Sequence, residues 1–254
     1  MSKSAPVLSF PLLSARGFTL IEMAIVLIIL TLVVGGALVP LGAQIEQRQR
    51  AETQRTLDEI REALIGYTLT HGVLPCPSTV SAGIPDGNAN LNTKCGLSTY
   101  GIATGYIPWV TLGVNNKDAW NNLIRYAVAT KFADTSNPFT LDTTSLNSTN
   151  TITIQTRDTT GTIVTISSTI PATVFSLGKN GYGALSADFI AQSSVPASNL
   201  DENQNITSGS LTYFSRTPAP AGTAATVGGE FDDMVVWISP NILYNRMVAA
   251  GKLP

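Results

Sequence analysis

The residue that most needs a chemical explanation is Glu22. It stands at the start of a run, Met23 to Ala43, that contains no charged side chain. An acid at the centre of such a helix in lipid costs about 2.5 to 3.5 kcal/mol, and less near an end, so its presence calls for a compensating positive partner. Two other residue types could do chemistry. Cys76 and Cys95 lie in turn-rich sequence, "LPCPST" and "NTKCGL". In an oxidising compartment a bridge between them restricts the unfolded chain by roughly 3 kcal/mol; the alternative is two unrelated thiols. A zinc site needs further ligands, but the chain has a single histidine, His71, and no C-x-x-C pair. Catalysis has little to work with: the one histidine stands at the end of a helix, and there is no G-x-S-x-G and no glycine-rich phosphate loop. The sequence predicts a protein that is not an enzyme.

The elements that must position these residues begin with the apolar run. At about 1.5 Å per residue it is long enough to cross a hydrocarbon core of about 30 Å. It is long for the apolar region of a signal peptide, and Leu41 stands where a cleavage site wants a small residue. Basic residues flank it on both sides, Lys3 and Arg16 before, Arg48, Arg50 and Arg55 after, so the positive-inside rule leaves orientation open. Gly35, Gly36 and Pro40 are where the rod would bend or loosen. From Gln44 to Thr70 the pattern becomes amphipathic, with Leu57, Ile60, Leu64 and Tyr67 on one stripe and charges around the rest. His71 and Gly72 end that helix.

The first segment resembles a known family. "RGFTLIE" followed by an apolar helix is similar to the N-terminus of type IV prepilins and of type II secretion pseudopilins. The resemblance implies cleavage after Gly17 by a prepilin peptidase, methylation of Phe18, and Glu22 as the fifth residue of the mature chain. It also implies an assembly role for Phe18 and Glu22. When such helices pack, the carboxylate of one subunit meets the ammonium of a neighbour's first residue, and a subunit at the wrong height leaves two charges without partners. The alternative for Glu22 is a side chain snorkelling at the membrane interface.

Beyond the helix, "TITIQTRDTTGTIVTIS" predicts a hairpin with strands near Thr151 to Arg157 and Thr162 to Ser167. Strands are also expected at Leu123 to Ala129, in "TVFSLGKNG" and at Met234 to Trp237, followed by a short helix opening at Pro240. The expected fold is α+β: a long N-terminal helix, half transmembrane and half amphipathic, packed on an antiparallel sheet, pilin-like. The hairpin and the Thr/Ser-rich tract from Pro138 to Pro220 read as an insertion, either a recognition surface or a decorated loop. The segments are a leader (1–17), a transmembrane assembly helix (18–43), an amphipathic half (44–71) and a periplasmic or extracellular β-rich domain (72–254).

Two further stretches carry the resemblance more weakly. Asp118, Trp120, Asn122 and Tyr126 are similar to the D-x-W-x-N-x-x-x-Y stretch of major pseudopilins, and Phe175, Ser176, Gly178, Asn180 and Gly181 to the turn that follows it. In that family the loop after the turn can hold calcium. Here the oxygen ligands on offer are Asp201, Glu202, Asn203, Asp232 and Asp233, the last two some 50 residues beyond the turn, and a solvated acidic loop is the competing reading. No other cofactor is implied.

The resemblance implies a structural subunit, a minor pilin or pseudopilin. Its partners would be the peptidase, sister subunits and an inner-membrane assembly platform. It would cross the bacterial inner membrane once, with its C-terminal domain in the periplasm, before joining a filament. The alternative is a signal-anchored exported binding protein or hydrolase. A net charge of −2 with 13% charged residues offers no basic face, so nucleic acid is not an expected partner.

Overall fold

A computed structural model describes residues 17–141, 150–220 and 227–253, with side chains left out at 34–41. The leader residues 1–16, with Lys3 and Arg16, lie outside the described residues, as do the surroundings of Gly35 and Gly36, the side chains of Pro40 and Leu41, and positions 142–149 of the Thr/Ser-rich tract. The chain divides into two compact units, 1–47 and 48–254.

One helix, α1 (Leu20–His71), runs for 52 residues, and its backbone stays helical through Pro40. In the first unit the apolar side chains at its start lie open, Leu20 and Ile21 being exposed by 90% and 70% and Phe18, two residues before it, by 76%. Among the described residues, no helix is long and apolar enough to cross a membrane.

In the second unit the remainder of α1 buries one face. Leu57, Ile60 and Leu64 are fully buried as the stripe predicts, Tyr67 is half-buried, and Thr53 and Thr68 continue the stripe at both ends. The Thr68 hydroxyl satisfies itself by donating to Leu64 O at 2.8 Å, which lets a polar residue sit in that face. Gly72 follows at φ +78° and donates to Thr68 O, closing the helix in a conformation that suits glycine.

The stripe packs in one core with a four-stranded antiparallel sheet ordered β3–β4–β7–β9. Its strands are β3 (Ile102–Tyr106), β4 (Arg125–Ala129), β7 (Ala172–Ser176) and β9 (Met234–Trp237). The two central strands read as near-continuous buried runs because both faces are covered. Of the shorter helices, α2 (Trp109–Leu112), α3 (Leu200–Ile206) and α4 (Pro240–Ala249), the last adds Leu243 and Met247 to the same core. Each such fully buried aliphatic side chain contributes about 1.5 to 3 kcal/mol.

A second sheet, ordered β6–β5–β8, is built from β5 (Ile152–Arg157), β6 (Ile163–Ile170) and β8 (Thr212–Phe214). The hairpin stands where its turn chemistry predicts. Asp158 Oδ1 accepts from the N–H groups of Thr160 and Thr162, fixing the reversal. Two findings differ from the sequence expectation. β8 joins β5 in parallel, so the β-structure is not wholly antiparallel. The tract from Pro138 to Pro220 is also not a separable insertion: β7, drawn from its middle, is a central strand of the main sheet.

Between α1 and β3 the chain forms a small hairpin, β1 (Ser78–Ser81) with β2 (Ile84–Ala89). It lies within the loop closed by a disulfide between Cys76 and Cys95, 19 positions apart.

Candidate functional site

The first candidate site is the start of α1. Glu22 N–H donates to Thr19 Oγ1 at 3.3 Å, and Thr19 N–H donates to Glu22 Oε2 at 3.4 Å. This reciprocal pair is a capping box, in which a Thr and a Glu three residues on satisfy two of the donors that a helix start leaves open. The signal is present in the sequence as T-x-x-E, Thr19 to Glu22, immediately before the apolar run. Glu22 therefore already has a local partner in the single chain. Around it Phe18, Leu20 and Ile21 are exposed, so an acid and an apolar surface are offered together.

The second candidate site is a buried polar network assembled from four distant segments. Asp118 is its first anchor. Its Oδ2 accepts from Ser176 Oγ at 2.6 Å, and its Oδ1 accepts from the N–H groups of Trp120 and Asn122, both at 2.9 Å. Asn122 Nδ2 then donates to Gly178 O at 3.2 Å. Burial pushes the Asp118 carboxyl above its usual range, and the Ser176 bond and the two main-chain N–H groups oppose that rise. The D-x-W-x-N stretch and the turn after β7 are thus one clasp.

That turn carries the network on to the acids. Asn180 N–H donates to Asp232 Oδ2 at 2.8 Å, and Asn180 Nδ2 donates to Glu202 Oε1 at 2.9 Å. Gly178, at φ +63°, lies so close that any Cβ there would strike the Asp232 carboxylate. Glu202 sits on α3 (Leu200–Ile206) and also accepts from Asn199 Nδ2 and from Asp232 N–H. Asp233 Oδ2 accepts from Asn205 Nδ2 at 2.8 Å.

The result is a cluster in which one ligand oxygen each from Glu202, Asp232 and Asp233 lies within 4.8 Å of the others, all three residues buried. Three carboxylates out of water cannot all ionise cheaply. Burial raises each of them. Asp232 is pushed up to about 7, Asp233 stands well above its usual value with Glu202 adding to the burial, and Glu202 is raised despite its donors. Asp232 Oδ1 is buried and has no hydrogen-bond partner among the described residues. An oxygen of this kind accepts either a proton or a hard cation.

Of the oxygen ligands named from the sequence, Asp232 and Asp233 come together here and Glu202 joins them. Asp201 does not face the cluster. Its carboxylate meets Arg157 Nη2 at 2.7 Å and Arg216 Nε at 2.8 Å, so both of its oxygens are held by guanidinium groups. Asn203 is exposed on α3. Glu202 and Asp201 are adjacent in a helix, and only the direction of each side chain decides which meets the acids and which meets the arginines.

A family model described as a prokaryotic N-terminal methylation motif matches residues 13–38. No curated protein and no solved structure matches the chain. Residues 13–38 therefore carry the prepilin-type cleavage and methylation signal of type IV pilins and pseudopilins.

Proposed function

We propose that the chain is a non-enzymatic structural subunit, a minor pilin or pseudopilin of a type IV pilus or a type II secretion pseudopilus. In this reading the peptidase cuts after Gly17, Phe18 is N-methylated, and the apolar half of α1 first holds the protein in the inner membrane with the globular unit in the periplasm. The helix then packs with sister subunits on an assembly platform. The observation that carries the reading is the methylation motif at residues 13–38, placed on a helix start whose apolar side chains are exposed. Glu22 exchanges its weak capping contact with Thr19 for the ammonium of a neighbour's Phe18, and so sets the height at which a subunit fits.

The buried acids support this role from within the globular unit. Glu202, Asp232 and Asp233 offer the hard oxygens that calcium prefers, and the unpartnered Asp232 Oδ1 is the position such an ion would satisfy. Bound there, the ion would neutralise the cluster and tie the turn after β7 to α3.

The test is the intact mass and N-terminal sequence of the protein made with and without a prepilin peptidase. Loss of residues 1–17 together with a methylated Phe18, only when the peptidase is present, is the expected result. An uncut chain, or cleavage after Ala43, would overturn the reading in favour of an anchored or secreted binding protein.

A further inference from the structure

β9 and β6 each stand at an edge of their sheets. β9 closes one side of the main sheet. Ile238 N–H donates to Ala172 O, and antiparallel strands alternate between bonded and non-bonded pairs, so Val236 and Met234 bond to β7. The main-chain groups of Val235 and Trp237 then point away from it. Among the described residues nothing partners them. They face a groove of about 620 Å³ whose wall includes Ile65, Val235, Trp237 and Ile242, with Arg61 and Arg246 also lining it.

What fits such a groove is an extended strand, because two unpaired N–H and C=O sets repeat every second residue there. This chain exposes one. From Thr159 to Ile170 it has no charge and no proline, two of the devices that protect a sheet edge, and its register shifts lie beyond Thr165. Ile163, Val164 and Ile166 are 44 to 48% exposed. Asp158 N–H donates to Thr162 O, so by the same alternation Val164 bonds to β5 while Ile163 and Thr165 turn their main-chain groups outward. The register shifts between Ile154 and Gln155 because Ile166 is an extra residue, which ends the regular outward edge after Thr165. Each edge therefore presents two outward residues spaced by two.

We propose that β6 of one copy adds to β9 of another as a fifth antiparallel strand, Ile163 opposite Trp237 and Thr165 opposite Val235. Different surfaces meet on the two copies, so the contact is heterologous and propagates from copy to copy instead of closing a pair. It belongs to the globular unit and does not depend on cleavage or methylation of the N-terminus.

The test is oxidative cross-linking of the full chain in detergent micelles. Its two cysteines are already bridged. Chains carrying Thr165→Cys and chains carrying Val235→Cys are prepared separately and mixed. A bonded antiparallel pair sets Cα atoms about 5.5 Å apart, within disulfide reach. The expected product is a mixed dimer, with neither variant linking to itself. Adding Ile163→Pro to the Thr165→Cys chain should abolish the mixed dimer while leaving the melting curve in place, because proline is tolerated where the strand N–H faces outward. A Thr165→Cys self-dimer would show β6 pairing with β6 and overturn the proposal. Absence of any cross-link, or survival of the mixed dimer with the proline, would overturn it as well.

Discussion

Asn180 donates its main-chain N–H to Asp232 Oδ2 at 2.8 Å across 52 positions of sequence, and its side-chain amide holds Glu202 on a third segment. One residue of the turn after β7 thus fixes two of the three clustered acids.

The cluster makes stability depend on pH in an unusual direction for carboxylates. Asp232 has a folded value near 7 against 3.8 in the unfolded chain, so the folded state binds the proton more tightly. Stability is fully present below pH 3.8 and is lost as pH rises towards 7, the group's share being on the order of a few kcal/mol. Asp233, Glu202 and Asp118 are shifted the same way. In a chelating buffer the melting temperature should fall between pH 4 and pH 8. Asp232→Asn should flatten that slope, and an unchanged slope would mean the acid is not buried as described.

Calcium should reverse the loss. At pH 8, where Asp232 is ionised, millimolar calcium should raise the melting temperature by several degrees, a linkage gain of about 3 kcal/mol at a hundredfold excess over Kd. At pH 5 protons compete for the same oxygens and the gain should shrink. Asp233→Asn should abolish the response. No shift at pH 8 in the unaltered protein would remove calcium from the account.

Asp118→Ala should be among the most damaging single changes in the globular unit. It leaves Ser176 Oγ and the N–H groups of Trp120 and Asn122 without their acceptor in a buried place. Denaturant unfolding should show a loss of about 3 kcal/mol or more. A loss below about 1 kcal/mol would mean that water replaces the carboxylate.

Cys76→Ser and Cys95→Ser should each cost roughly 3 kcal/mol by freeing the loop that holds the β1–β2 hairpin. The double variant should cost no more than either single one, and reduction of the unaltered chain should give the same shift. A sum of the two single effects would show that the thiols act separately.

Thr19→Ala separates the two roles available to Glu22. Losing the cap oxygen costs the helix start about 1 kcal/mol. If Glu22 acts by pairing with a neighbour, Glu22→Ala should block incorporation into filaments while Thr19→Ala leaves most of it. Equal losses would show that the capping box alone explains the acid. Normal incorporation of Glu22→Ala would end the register argument.

The elements most legible in the sequence are those with strong local patterns. Leu57, Ile60 and Leu64 announced the buried face of α1, the alternation around Asp158 announced the hairpin, and Met234–Trp237 was bounded as found. β1 and β2 were not legible because "STVS" is only four residues long and "IPDGNA" is built from Pro, Asp, Gly and Asn, which read as a turn although Pro85, Gly87 and Ala89 form its buried face. β8 has three residues and its pairing with Ile154 is set by the tertiary structure, so no local signal marks it as parallel. The acid cluster was half legible. Asp232 and Asp233 stand out, but the choice of Glu202 over Asp201 follows from which helix face meets Arg157 and Arg216.

The polar network has a last consequence, for survival among proteases. Its members come from segments around residues 118–122, 176–181, 199–205 and 231–233. Lifting any one of these loops strips donors from carboxylates held by the others, so partial openings cost nearly as much as complete ones. A protease therefore meets few half-open forms. The exposed loops outside the network, not those within it, should set where and how fast the globular unit is nicked.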